Sequence, residues 1–338
     1  MTAHSKQLAK FLIRILITTA LLIWVFSRID LQQFWQTVKL ARWEFLFAVW
    51  ATVIMFFWIQ SIKMKLILKK QGCNVNISTL FGASAVTALY SMVIPGILST
   101  GVKWYILKKD TGKGTNILSA MVYNQLSLMV VMTVFGLGAL IATNPTSLLL
   151  TNTKNQWLLP AICAILLTTI ILTSILMLNP KTGGKVIKGI SYILKPLPPR
   201  IRQKSEETLE QIAIFQVVGY QFHLIIALIT IIACLIGGIL IYTLSARAAN
   251  ITAPVTVFLW LSAIIYVLGR VPISIANLGV REATLVGLLA LYGVEKPAAL
   301  LMSMILFSAA VFMAIIGAMY QLCWAASAKK RSSSNSES

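Results

Sequence analysis

The sequence predicts an all-α fold: a polytopic helical membrane protein with about six full transmembrane helices and two re-entrant or broken helical hairpins. Three observations predict it. Hydrophobic residues make up 58% of the 338 residues and charged residues only 11%, with a mean hydropathy of +0.84. That balance excludes a soluble globular chain and a disordered one. Eight apolar segments recur, at roughly 11–27, 43–62, 77–107, 116–142, 157–178, 213–245, 252–294 and 297–325. Runs of about 20 apolar residues cross a bilayer, and runs this continuous do not suit the alternating pattern of a β-barrel. Finally, the basic residues fall in clusters between these segments, as the positive-inside rule requires.

Those clusters set the topology. Lys6, Lys10 and Arg14 precede or begin the first segment, so the N-terminus is cytoplasmic. That segment, Phe11–Phe26, lacks a persuasive small-residue cleavage site and is read as a helix that stays. Segment 43–62 ends at Lys63, Lys65, Lys69 and Lys70, again cytoplasmic. Lys108, Lys109 and Lys113 follow segment 77–107, so that segment begins and ends on one side. It is too short for two crossings, which need about 40 residues, and a hairpin turning near Ile94–Thr100 fits it. Pro95, Gly96 and Gly101 are its breakers.

Segment 116–142 then leads out and 157–178 leads back, to a loop at 179–212 carrying seven basic residues from Lys181 to Lys204. Segment 213–245 leads out, and 297–325 returns to Lys329, Lys330 and Arg331, so the C-terminus is cytoplasmic too. Segment 252–294 therefore begins and ends outside, as a second hairpin or a pair of crossings. Pro272 and Gly279 interrupt it. Twenty-one Lys and Arg flank cytoplasmic ends and six flank outer ends; Arg270 and Arg281 remain, both inside segment 252–294.

Two broken hairpins entering from opposite faces match the pattern of inverted-repeat transport folds, although the halves share too little sequence to declare a repeat. Two unrelated kinks are the alternative. Residues 1–328 form one integral membrane domain, with a first half at 1–150 and a second at 151–328; 329–338 is a disordered basic and Ser-rich tail. Residues 28–42, with Leu31, Phe34, Trp35 and Val38 at helical spacing, read as an interfacial helix.

The composition excludes several functions. The net charge of +20 suits anionic lipid and positive-inside topology better than nucleic acid, because no basic domain stands outside the membrane. The four cysteines are scattered without CxxC, and His4 and His223 are far apart, so neither a disulfide framework nor a metal site is expected. TGKGT at 111–115 and TGGKV at 182–186 miss the P-loop spacing. No cofactor is implied. Paired carboxylates for acid–base work are lacking, so the chain reads as a non-enzyme.

Two stretches carry a resemblance. VPISIANLGVREATLVGLLALYG, residues 271–293, is similar to the motif of the lysylphosphatidylglycerol synthase transmembrane, or flippase-like, family. Pro272, Gly279, Arg281 and Glu282 match it; Ile275, Ala276 and Asn277 stand where that family has Pro-Gly-Gly. IPGILSTGVKWYILKKDTG, residues 94–112, resembles the family's other hairpin, with Pro95 matching, Ser99 in place of Gly and Lys103 in the arginine position. Asn124 and Gln125 stand where the family has Glu-Arg. The resemblance implies lipid handling, as in proteins that move aminoacylated phospholipids across the bilayer or accompany polyprenyl-phosphate sugar transferases.

The chemistry of a headgroup path then selects candidates. An ionisable residue inside a membrane is by default functional. Lys103, Arg270, Arg281 and Glu282 are the charged candidates; Tyr90, Asn124, Gln125 and Asn277 are polar ones. Arginine offers a planar fork to phosphate and lysine a point charge, and a helix starting near Gly279 would add its N-terminal dipole. The competing reading makes Arg270 and Glu282 a structural ion pair and Lys103 a snorkelling side chain. The expected function is a lipid flippase of the inner, cytoplasmic membrane. It would move a phospholipid or polyprenyl-linked lipid through a polar groove between the hairpins. The alternative is a non-catalytic subunit that binds a lipid-linked substrate for a separate glycosyl- or aminoacyl-transferase. Expected partners are membrane lipids, anionic ones first. Small residues such as Gly136 and Gly138 permit close helix contact, including between copies, without establishing a homo-oligomer.

Overall fold

The computed structural model describes residues 31–92, 96–146, 157–178, 183–184, 215, 218–269 and 278–334. Among these, the principal elements are helices and no strand occurs. They are α1 (Leu31–Lys39), α2 (Trp43–Lys70), α3 (Ile77–Ser91), α4 (Gly96–Thr111), α5 (Gly114–Thr143), α6 (Leu158–Leu178), α7 (Tyr220–Ala248), α8 (Val255–Leu268), α9 (Val280–Ala290) and α10 (Lys296–Ser334). The chain is a polytopic helical membrane protein. Helices α2, α5, α6, α7 and α10 are long and apolar enough to cross a bilayer. The sixth expected crossing, 11–27, lies outside the described residues, as do Pro95, Arg270, Pro272 and Asn277.

The outer faces suit hydrocarbon. On α6, Ile165, Leu172 and Ile175 are exposed, and on α7 so are Leu224 and Leu228. In water such a surface would drive aggregation; against lipid tails it costs nothing.

Segment 77–107 divides into α3 and α4, packed against each other. At 15 and 16 residues they are about 22–24 Å long, shorter than the roughly 30 Å hydrocarbon core. Segment 252–294 divides likewise into α8 and α9, of 14 and 11 residues.

The packing is reciprocal. The first hairpin lays α3 along α10, the helix that follows the second hairpin. The second hairpin lays α8 along α5, the helix that follows the first. Helix α2 packs on α7, on its own hairpin arm α3, and on both α5 and α10; α7 packs on its own hairpin arm α8 and on the same two helices. Each contact of the set α2–α5 thus has a counterpart in α7–α10. The leading helices α2 and α7 run antiparallel. The Arg42 N–H donates to the Ala248 carbonyl (3.0 Å) at one end, Phe56 faces Gly237 in the middle, and Lys63 is within electrostatic reach of Cys234 further along. This is the arrangement of two units of opposite direction.

Glycines allow the closest crossings. A Cβ on Gly317 of α10 would stand 2.2 Å from the Ala85 carbonyl oxygen of α3, and one on Gly136 of α5 would stand 2.4 Å from the Ala263 Cβ of α8. The two crossings that lock the hairpins in place therefore both rest on a small residue. Gly138 has no neighbour among the described residues within 4 Å of such a position.

Candidate functional site

Helix α9 begins at Gly279, whose φ of +81° is a left-handed conformation that glycine adopts without a Cβ clash. The turn aims the Gly279 N–H at Glu282, whose Oε2 accepts it at 2.6 Å. One orphan donor of the helix start is thereby satisfied by a carboxylate, which also suits the positive end of the helix. The other oxygen, Oε1, accepts from Arg281 Nη2 (2.6 Å) and from Ser303 Oγ (2.8 Å) of α10. Arg281 Nε in turn donates to Ser303 Oγ (2.9 Å), and its guanidinium lies 5.5 Å from the Phe307 ring centroid. Arg281 and Glu282 are 8% and 4% exposed and Ser303 is fully buried. The pair is closed: the carboxylate accepts three hydrogen bonds and the guanidinium is bonded on two nitrogens. Arg281 thus pairs with its neighbour Glu282; Arg270, expected in that role, lies outside the described residues.

A second polar group is built differently. On α2, Lys63 is fully buried and is the largest such side chain among the described residues. Its Nζ donates to Ser127 Oγ (2.9 Å) and to the Asn124 carbonyl (3.4 Å), both on α5. Among the described residues, both polar atoms of the Gln60 side-chain amide, one turn before Lys63, are buried without a hydrogen-bond partner, and so is Asn124 Oδ1. Lys103, on α4 of the first hairpin, is half-buried and close enough to act on the charge of Lys63. Among the described residues no carboxylate forms an ion pair with Lys63 or Lys103. The backbone carbonyl and hydroxyl that hold Lys63 are neutral.

Between these groups lies a cavity of about 360 Å³, bounded by α2, α5, α7 and α8. Its lining is mainly apolar, including Phe56, Phe57, Leu128 and Met132, with Cys234, Tyr242, Ser262 and Tyr266 as the polar exceptions. It follows a π-helical stretch of α7, Leu235–Leu240, whose sequence LIGGIL brings two glycines to the wall. A Cβ on Gly237 would meet the Phe56 ring at 2.8 Å, and one on Gly238 the Ser262 hydroxyl at 2.8 Å. Such π-turns concentrate at functional sites. Cys234, at one end of the lining, is within electrostatic reach of Lys63, and Tyr242, at the other, within reach of Arg281. Gln125 donates to the lining Tyr266 hydroxyl at 2.8 Å.

The family described as lysylphosphatidylglycerol synthase TM region matches residues 11–317. The chain belongs to that family. No curated protein and no solved structure matches it. Membership makes the chain a multi-pass membrane protein of a family concerned with lipid modification or transport.

The candidates that the lysylphosphatidylglycerol synthase TM motifs single out are thus dispersed into distinct settings. Arg281 and Glu282 share one closed cluster. Asn124 contacts Lys63, Lys103 is within electrostatic reach of it, and Gln125 reaches the cavity wall. Tyr90 stands apart, its hydroxyl accepting from Gln321 of α10 at 3.1 Å. Of the breakers, Gly279 makes the turn before α9 and Gly96 opens α4, while Gly101 lies inside α4 with open space where a Cβ would be. The cavity is bounded by one hairpin arm, α8, together with three long helices; a groove between the two hairpins is not what encloses it.

Sequence reasoning missed Lys63, which it counted with Lys65, Lys69 and Lys70 as a cytoplasmic flank. The signal was helical phase. Gln60, Lys63 and Ile67 follow one another at three- and four-residue steps on the buried side of α2, while Lys69 and Lys70 are exposed.

Proposed function

We propose that this protein translocates an anionic phospholipid or polyprenyl-linked lipid across the cytoplasmic membrane, with both termini on the cytoplasmic side. The cavity along α7 carries this reading. It joins the surroundings of the uncompensated Lys63 to those of the compensated Arg281, over about 12 Å of helix from Cys234 to Tyr242. A lipid crossing a bilayer needs such a course: cationic ground for its phosphate, a few hydroxyls along the way, and apolar walls for the hydrocarbon beside it. The cavity is at the small end of ligand sites, so it accommodates a segment of a lipid rather than a whole one. The inner-membrane placement rests on the distribution of Lys and Arg. A passage rather than a catalyst is supported by the buried carboxylate Glu282, whose oxygens are committed to Gly279, Arg281 and Ser303.

Reconstitution into liposomes tests it. Vesicles carrying fluorescent anionic lipid should lose inner-leaflet protection from a membrane-impermeant quencher faster with protein than without. Ser262→Phe, which fills the cavity, should slow that loss at equal incorporation, and Arg247→Ala, at the exposed end of α7, should not. No translocation of any anionic lipid, with co-purification of a glycosyl- or aminoacyl-transferase, would replace this reading by that of a substrate-binding subunit.

A further inference from the structure

We propose that Lys63, with Gln60, Asn124 and Lys103 around it, is the site that binds the phosphate of an anionic lipid taken from the cytoplasmic leaflet. This deepens the translocation reading and rests on it for the lipid's onward course.

Charge sets the first constraint. An ammonium group held inside a helical bundle is costly unless a counter-charge or a full set of acceptors offsets it. Lys63 has three donors and two acceptors, one of them at 3.4 Å. Another lysine, Lys103, is within electrostatic reach and adds repulsion. The Arg281–Glu282 cluster in the same molecule demonstrates what a self-sufficient buried cation looks like here: a carboxylate at 2.6 Å and a serine that bonds both partners. Lys63 and Lys103 have no such partner among the described residues. An anion is the partner that would offset both charges.

Hydrogen bonding sets the second. Gln60 buries an amide with neither nitrogen nor oxygen engaged, and Asn124 buries an unengaged amide oxygen. Buried amides are almost always paired, so an unpaired pair of them beside a lysine awaits a ligand. Because the two ends of a side-chain amide interchange by a half-turn, both residues can turn N–H groups toward an acceptor. A phosphate diester presents two free oxygens with a shared negative charge. It satisfies Lys63 and Lys103 electrostatically and takes donors from Gln60 and Asn124.

Position identifies the source. Lys63 lies two turns, about 10 Å, from the basic end of α2 at Lys69 and Lys70. By the positive-inside rule that end is cytoplasmic. The mainly apolar cavity adjoins the site: Cys234 belongs to its wall, Phe56 and Phe57 precede Gln60 by one turn, and Leu128 follows Ser127. A phosphate with hydrocarbon attached occupies both compartments, whereas free phosphate would leave the apolar one unused.

The test measures binding and transport separately, on the full chain. Native mass spectrometry in detergent compares phosphatidylglycerol, phosphatidylcholine and inorganic phosphate as probes. Wild type should prefer phosphatidylglycerol, and Lys63→Met should bind it about tenfold more weakly, the loss of one charge-assisted contact. Lys63→Arg should restore the preference, and Lys69→Met, at the exposed end of α2, should leave it unchanged. If Lys63→Met does not fold, Gln60→Leu takes its place and should weaken the preference at an unaltered melting temperature. The proposal is overturned if the substituted protein keeps the wild-type preference, or if inorganic phosphate competes as well as the lipid. The same variants in liposomes separate the two readings. Lys63-dependent binding without translocation by wild type would leave the site standing and remove the transport function. Translocation undiminished by Lys63→Met would do the reverse.

Discussion

Replacing Glu282 by alanine should destabilise this protein more than any other single change at the start of α9. The carboxylate accepts from Gly279 N–H, Arg281 Nη2 and Ser303 Oγ at 2.6–2.8 Å, and it is 4% exposed. Removing it strands a buried guanidinium, which by itself costs about 3–5 kcal/mol. The freed helix-start N–H adds about 1 kcal/mol if water does not reach it. A loss of roughly 4–6 kcal/mol is about a thousand-fold to ten-thousand-fold change in the folded-to-unfolded ratio. Ser303→Ala keeps the ion pair and removes one bridging hydroxyl, so it should cost only about 1–2 kcal/mol. Arg281→Met with Glu282→Met removes both charges and should recover much of the loss, because apolar replacement of a whole buried pair is often near neutral. Denaturant titration in detergent, followed by tryptophan fluorescence, reads all three. The expected order of stability is wild type, Ser303→Ala, the double variant near or above it, and Glu282→Ala last. Glu282→Ala unfolding within about 0.5 kcal/mol of wild type, the range of an ordinary surface change, would refute the claim that this cluster is structural. A selective loss of translocation at unchanged stability would instead make Glu282 part of the lipid's path.

Other outcomes follow from the packing. Gly317→Ala sets a methyl 2.2 Å from the Ala85 carbonyl oxygen, a backbone atom that cannot swing aside, and should cost about 1–3 kcal/mol in the same titration. Gly138→Ala meets none of the described residues within 4 Å, and should be neutral or stabilise α5 by up to about 1 kcal/mol. Tyr123→Phe keeps the ring stacked on Phe215 (4.3 Å between centroids) but deletes the bond to Nδ1 of His223 (2.6 Å), whose Nε2 donates to the Phe215 carbonyl. It should lower stability by about 1–2 kcal/mol. Of the four cysteines only Cys323 is exposed, so N-ethylmaleimide should label the native protein once and the denatured protein four times. Burial also pushes the Cys73 thiol, in the turn after α2, above its ordinary range and so depletes its reactive thiolate. Rapid native labelling of Cys73 would contradict the packing of that turn.

Hydropathy made the long helices legible because a bilayer demands about 20 apolar residues whatever they touch. Charge bookkeeping went further. It required segment 77–107 to return to its own side, and the structure divides that segment into two helices too short to cross. The reciprocal packing of α3 on α10 and α8 on α5 was beyond reach, since it depends on small residues such as Gly317 and Gly136 whose partners lie far away in sequence. Lys63 escaped for a different reason. Counting charges near a helix end treats every lysine as wet, and only the phase of α2 distinguishes the buried Lys63 from the exposed Lys69. Ser303 carried no signal at all: a serine in a long apolar helix is ordinary, and its meaning comes from the ion pair it meets.

The two halves share a frame but treat charge in opposite ways. In the second hairpin Arg281 is neutralised within a single helical turn, by the next residue in the chain, and α10 seals the pair with one hydroxyl. In the first hairpin Lys103 has no acid on its own helix nearer than Asp110, two turns further on, and within its electrostatic reach lies a second cation, Lys63. A frame in which both hairpins were sealed would be stable and inert toward an anion. One in which both were open would carry several uncompensated charges inside a bilayer, each costing kilocalories. With one closed and one open, the closed hairpin supplies rigidity and the open one supplies a place where an incoming phosphate lowers the energy of the protein itself. Binding there should therefore stabilise the fold, and an anionic lipid should raise the melting temperature of wild type but not of Lys63→Met. An equal rise in both would mean that the lipid acts on the outer surface, and that the open charges of the first hairpin are satisfied in some other way.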